Sequence, residues 1–131
     1  MTNFVMSDLV TFSRALADPT RSRIVNLVTK DALCVCELAD ILGMPQSSVS
    51  SHVQIIRKAG LLDSEKCEKW TYFRISPEYR KLIQSLMVFF AVAETREFKK
   101  DAAKAAKRLA QREGSCCAGP KRLTTRKHAT A

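Results

Sequence analysis

The feature that most restricts this chain is a pair of short helical patterns joined by a tight turn and followed at once by a β-prone hairpin, all within residues 33–75. From Leu33 to Leu42 the apolar residues Val35, Leu38, Ile41 and Leu42 recur at helical spacing. Gly43 then stands where a helix end takes the left-handed conformation that glycine adopts most freely. After a short turn Pro45 opens a second helix, a position where its fixed φ is helical and its missing N–H costs nothing. In that helix Val49, Val53 and Ile56 fall at i, i+4 and i+7 as a buried stripe, and Gly60 closes it. The opposite face carries Gln46, Ser47, Ser48, Ser51 and Gln54, short side chains that make hydrogen bonds. Leu61 to Ile75 then reads as two strands around a charged turn, with Lys66 and Lys69 near its tip. Strand alternation puts Phe73 and Ile75 on one face and Trp70 with Tyr72 on the other, where they read as packing rather than as stacking platforms.

Two helices with a tight turn, the second bearing short polar side chains, make a helix-turn-helix whose second helix can reach base edges in a major groove. Alone that pattern is of moderate specificity, since ordinary surface helices also carry serine and glutamine. The hairpin directly behind it makes the combination a winged helix, in which Lys66 and Lys69 can meet phosphate.

The flanking segments fit a mainly α fold with a β-hairpin wing. Val5, Met6, Leu9, Val10, Phe12 and Leu16 give a first helix with a broad apolar side. Asp18-Pro19 reads as N-cap and first helical residue of a helix running to Lys30 that buries Ile24, Leu27 and Val28. Pro77 starts a long helical stretch in which Leu82, Ile83, Leu86, Met87, Phe89 and Phe90 cover much of the circumference. A chain of 131 residues has little core left to cover such a helix. It is predicted to pair with the first helix and with their symmetry mates across a two-fold interface, giving a homodimer suited to palindromic operator DNA.

Charge is unevenly placed. The net formal charge is +9; residues 1–98 carry 12 basic and 11 acidic side chains, and residues 99–131 carry 10 and 2. An excess of this sign points to a polyanion without naming one. The basic tail can add sequence-independent attraction to phosphate or be a solvated end. Composition after Phe98 favours helix up to Gly114, and Ser115 to Ala131 reads as disordered. The expected division is therefore a winged-helix and dimerisation domain over 1–113 and a tail over 114–131.

No run approaches a membrane span, and the N-terminus lacks the pattern of a signal peptide, so the expected location is the cytoplasm, with no membrane partner. Five cysteines include Cys34-Val35-Cys36 and the adjacent pair Cys116-Cys117, spacings that suit reduced thiols better than a disulfide framework. Catalysis is not expected: there is no acid–base constellation near a cysteine, no glycine-rich phosphate loop and no βαβ pattern.

The segments Ala15-Leu16-Ala17-Asp18-Pro19-Thr20-Arg21, Leu33-Cys34-Val35-Cys36-Glu37-Leu38, Val49-Ser50-Ser51-His52-Val53, Arg57-Lys58-Ala59-Gly60-Leu61-Leu62 and Lys69-Trp70-Thr71-Tyr72-Phe73-Arg74 together resemble the ArsR/SmtB family of metal-responsive repressors. The resemblance spans about Ala15 to Arg74 and leaves out the tail after about Glu113. It implies a repressor of metal-resistance genes that leaves its operator when an inducer binds. Most similar to the family's DNA readers are Gln46, Ser47, Ser48, Ser50, Ser51 and His52. Ser48 and Ser51 stand where relatives often carry Lys or Arg. His52 can donate to phosphate or brace the helix packing, and bracing is the reading favoured.

The resemblance also points to Leu33-Cys34-Val35-Cys36 as the inducer site of the arsenic-, antimony-, cadmium- and lead-sensing branches. Thiolates hold thiophilic centres tightly, and As(III) or Sb(III) prefers three sulfurs around its lone pair. The plainer reading is that Cys34 and Cys36 are small buried hydrophobes. If both lie on one helix they point about 200° apart, so gripping one ion requires the first turn to unwind. In the best-known arsenic pattern a third cysteine follows three positions after the second, where this chain has Ala39. Cys67, in the wing turn, is expected to lie far from the third helix. Cys116 or Cys117 is therefore favoured as the further ligand, and the two can also form a separate vicinal site. Cd or Pb sensing stays open, although residues 1–33 hold no cysteine; zinc is disfavoured because residues 77–114 hold no histidine. A winged-helix repressor that senses thiol oxidation is the remaining alternative.

Overall fold

The structure, a computed structural model, describes residues 4–112 and 119–123. Helix α1 spans Met6–Leu16 and α2 spans Pro19–Lys30. Asp18 caps α2, its carboxylate accepting the Arg21 N–H at 3.1 Å, with Pro19 at the first helical position. Next come strand β1 (Leu33–Cys34), helix α3 (Val35–Leu42) and helix α4 (Gln46–Lys58). Gly43 ends α3 with φ +65°, as its position predicts. Strands β2 (Leu62–Cys67) and β3 (Trp70–Ile75) form the wing. Helix α5 (Pro77–Phe89), a single 3-10 turn (Val92–Glu94) and helix α6 (Arg96–Ala110) follow. Among the described residues no helix is long and apolar enough to cross a membrane.

One core holds the unit together. Ile24, Val25 and Val28 of α2 meet Leu38 and Ile41 of α3, the α4 stripe Val49, Val53 and Ile56, and Phe73 with Ile75 from β3. The stripe and the hairpin faces therefore lie as the sequence pattern predicts.

Two elements differ from that reading. Leu33 and Cys34 do not begin the third helix: they form a two-residue strand antiparallel to β3, with Leu33 opposite Phe73 and Cys34 opposite Tyr72. The wing is thus a three-stranded sheet of order β1-β3-β2. Backbone groups of β3 that a lone hairpin would leave open are satisfied by β1, and α3 starts only after that pairing ends. The long stretch from Pro77 is likewise two helices, not one. Ala91 takes a left-handed conformation (φ 52°, ψ 39°), and Thr95 recaps the chain by accepting the Phe98 N–H. The break turns the chain so that α6 packs on α2 and α3.

Three ion pairs fasten α6 and the residues behind it to that unit. Asp101, buried, receives both Arg23 Nε (2.9 Å) and Nη2 (2.8 Å) from α2. Arg108 donates to Asp40 of α3 at 2.8 Å. Arg112 meets Glu37 in α3, at 2.7 Å and 3.0 Å.

Candidate nucleic-acid interface and thiol site

Helix α4 presents its polar residues as the buried stripe requires. Gln46, Ser47, Ser51 and Gln54 are exposed, whereas Ser48, Ser50 and His52 are half-buried at the flanks. The Ser51 hydroxyl donates to the Ser47 carbonyl at 3.1 Å, so that donor is committed to the helix itself. His52 turns its buried Nδ1 toward Asp18, 3.9 Å from Oδ2, which joins α4 to the start of α2 and fits a bracing role. Arg57 and Lys58 stand exposed at the last turn, and the Arg57 guanidinium lies 5.8 Å from the centroid of the Phe73 ring.

At the wing tip Lys66 and Lys69 are exposed around Glu68, whose φ of 58° makes the tight turn. Lys69 Nζ sits 5.2 Å from the Trp70 ring centroid. The recognition helix and the wing tip thus offer short polar side chains and exposed cations on neighbouring elements, a pairing suited to base edges and phosphates respectively.

The thiols lie on the other face of the sheet. Cys34 is buried, packed with Ala32 and Tyr72, and the half-buried Cys36, Cys67, Trp70 and Leu123 pack against that cluster. Cys67 is therefore neither exposed nor remote from the other thiols, contrary to the reading of the wing turn. Strand alternation turns it to the same face as Glu65, and register places Glu65 opposite Tyr72. Strand β3 nevertheless lies between β1 and β2. Among the described residues no three Cys, His, Asp or Glu side chains are arranged to hold a metal ion. Cys116 and Cys117 lie outside the described residues.

Cys34 and Cys36 are not both on a helix. Cys34 is the last residue of β1 and the N-cap of α3, while Cys36 is the second helical residue. The Cys34 N–H donates to Glu37 Oε1 at 3.2 Å. Glu37 is fully buried, and Arg112 supplies its counter-charge while also donating to the Ala32 carbonyl at 2.6 Å. Burial works against the Arg112 charge, but the bonds and charge of Glu37 overcome it and hold the guanidinium above its ordinary value. The Arg112 guanidinium also stands 5.6 Å from the Tyr72 ring centroid.

Sequence reasoning picked out the cysteines but missed Glu37, Arg112, Glu65 and Tyr72 as the groups that organise them. For Glu37 a local signal existed, since it stands three residues after the N-cap. For Arg112, 75 residues away from Glu37, there was none.

Comparison with known proteins agrees with this geometry. The model of the bacterial regulatory protein, arsR family, matches residues 18–64, from the cap of α2 into the wing. The arsenic resistance transcriptional regulator ArsR1 of Pseudomonas putida is 35% identical over 75 residues, 56% of this chain and 59% of that protein. The arsenical resistance operon repressor of Escherichia coli is 42% identical over 65 residues, 49% of this chain and 56% of that one. The chain thus spans between half and two thirds of the length of these two relatives. It covers 84% of an uncharacterized helix-turn-helix regulator of Methanocaldococcus jannaschii, at 35% identity over 75 residues and 56% of this chain. Among solved structures, HlyU from Vibrio cholerae superposes with a TM-score of 0.60 at 26% identity, covering 65% of this chain and 94% of that one. A homodimeric winged helix-turn-helix domain from Mycobacterium bovis gives 0.61 at 19% identity, covering 73% and 97%, a likeness of fold alone. A relative matched over most of its length, a family model spanning the helix-turn-helix, and a winged-helix fold leave one assignment: the chain belongs to the ArsR family of DNA-binding transcriptional regulators, which are not enzymes.

Proposed function

We propose that this chain is a homodimeric repressor that reads a palindromic operator with α4 and the wing and releases it when As(III) or Sb(III) binds cysteine thiolates. Gln46, Ser47, Ser48, Ser50, Ser51 and His52 face or flank the groove, and Lys66 with Lys69 meet phosphate. Cys34 and Cys36 supply two sulfurs. Cys116 or Cys117, outside the described residues, supplies the third; Cys117 precedes by two positions Gly119, whose N–H is bound to Tyr72, the register partner of Cys34. The relatives named for arsenic and arsenical resistance support the choice of inducer.

The observation that carries the reading is the position of Cys34. It pairs with β3 of the wing and begins α3, which a short turn joins to α4. One thiol thus stands where both DNA-reading elements are anchored. Each arsenic–sulfur bond forms as a hydroxide on arsenic leaves with the thiol proton as water, without change of oxidation state. Gathering two of these sulfurs on one centre draws residues 34–36 out of their strand-to-helix geometry. The Cys34–Glu37 bond goes with it, and α3 shifts against α4. The inducer must bind this rearranged state more tightly than the DNA-competent one, since only that difference moves the equilibrium.

The test is fluorescence anisotropy of the reduced protein on its own promoter, titrated with arsenite, antimonite, cadmium, lead and zinc, for wild type, Cys34→Ser and Cys36→Ser. Release by the trivalent metalloids, lost in both variants, is the expected result. Release by Cd or Pb alone moves the assignment to that branch, and release by peroxide but not arsenite moves it to thiol oxidation. Gln46→Ala with Ser47→Ala serves as the DNA control, with about 1–3 kcal/mol of operator preference lost and folding unchanged.

A further inference from the structure

Residues 119–123 lie against the outer face of the wing sheet, and their anchorage is specific. The N–H groups of Lys121, Arg122 and Leu123 donate to the Glu65 carboxylate at 2.7, 2.7 and 2.8 Å. Gly119 donates to the Tyr72 hydroxyl at 2.8 Å, and Leu123 packs with the thiol cluster. Gly119 has φ +103°, and a Cβ there would stand 3.0 Å from Arg112 Nη1, so only glycine fits.

Glu65 is 4% exposed and sits one residue from Lys66 of the wing tip. Burial alone would push its carboxyl up, yet the three N–H donors and the Arg122 charge hold it below its ordinary value. A buried carboxylate at the base of a phosphate-binding loop is unfavourable in itself, because it costs desolvation and repels the ligand. What it gains is a segment whose backbone it holds while the Lys121 and Arg122 side chains remain exposed.

We infer that residues 119–123 are a strap belonging to the DNA-binding surface: Glu65 and Tyr72 position it so that Lys121 and Arg122 join Lys66 and Lys69 in a single phosphate-binding edge. The inference rests on the DNA-binding reading and names the partner chemistry as the duplex backbone, not the bases. It sets the sign of one substitution against simple electrostatics. Removing an acidic side chain beside DNA should strengthen binding, whereas removing the one that holds the strap weakens it.

The experiment measures affinity against salt for the reduced full-length protein on its promoter and on an unrelated duplex. The variants are Glu65→Gln, Lys121→Gln with Arg122→Gln, and the three combined. Each phosphate neutralised contributes about 0.9 to the slope of log affinity against log salt, so the exposed double variant should lower the slope by about two per protomer on both duplexes. Glu65→Gln should lower slope and affinity in the same direction, with no further loss when the three are combined. It should also speed tryptic cleavage after Lys121 and Arg122, a readout that needs no DNA. Affinity raised or unchanged by Glu65→Gln, or losses that add in the triple variant, would overturn the strap. A wild type that binds both duplexes equally would instead overturn operator recognition, and the slope comparison on unrelated DNA would still decide the strap.

Discussion

Glu37 shows how much of this molecule depends on single side chains that no local pattern reveals. Its carboxylate accepts the first backbone N–H of the thiol turn and both forks of Arg112, with no exposure to water. Removing one partner leaves a buried charge uncompensated, so Arg112→Met should cost about 3–5 kcal/mol in urea unfolding of the reduced protein, and Glu37→Gln with Arg112→Met should recover part of it. A cost below 1 kcal/mol, on the order of a surface pair, would mean that the contact is not structural. Asp18 is the opposite case, legible because its partners are adjacent. The Arg21 N–H, then the charges of His52 and Arg21, hold its carboxyl below 3.8 against the effect of burial. The ionised cap is therefore fully favourable above that pH and is lost as pH falls through the lower folded value. Asp18→Ala should cost about 1 kcal/mol at neutral pH, and its gap from wild type should narrow as acid unfolding curves are taken below pH 3.8.

Among elements, those with their own periodicity or punctuation were legible in sequence: α2 between Asp18 and Lys30, α4 between Pro45 and Gly60, and both hairpin faces. Strand β1 was not, because two residues have no period and owe their conformation to the edge of β3. The break after α5 escaped for a related reason: no Gly or Pro marks it, and Ala91 is held left-handed by the packing of α6 on the rest. A residue with a Cβ is strained there. Ala91→Gly should raise stability by about 0.5–1 kcal/mol without altering DNA affinity, and a loss of stability would show that the packing imposes no strain. The strap was illegible for the same reason as β1, its order coming from Glu65 and Tyr72 and not from its own composition.

At the scale of the whole molecule, α1, α5 and the start of α6 bound an apolar groove of about 1130 Å³ lined by Phe4, Leu9, Phe12, Leu86, Phe90 and Phe98, among others. Leu9 is 59% exposed and Phe89 80%, an arrangement that sequence anticipated from the greasy circumference of α5 and that fits a second copy of the chain. Leu9→Glu with Phe89→Glu touches no buried position and should convert the protein to a monomer in sedimentation velocity, with operator affinity lost. An unchanged dimer would place the interface elsewhere. The three ion pairs along α6 carry a further consequence. They bolt the wall of the groove to the helices that carry α4, so the distance and phase between two recognition helices in the dimer are set by rigid structure and not by a flexible joint. The protein acts as a caliper. One base pair inserted between operator half-sites turns one of them by about 34° around the duplex and moves it about 3.4 Å along it. A caliper with locked jaws cannot follow that change, and binding should fall to the level of a single half-site.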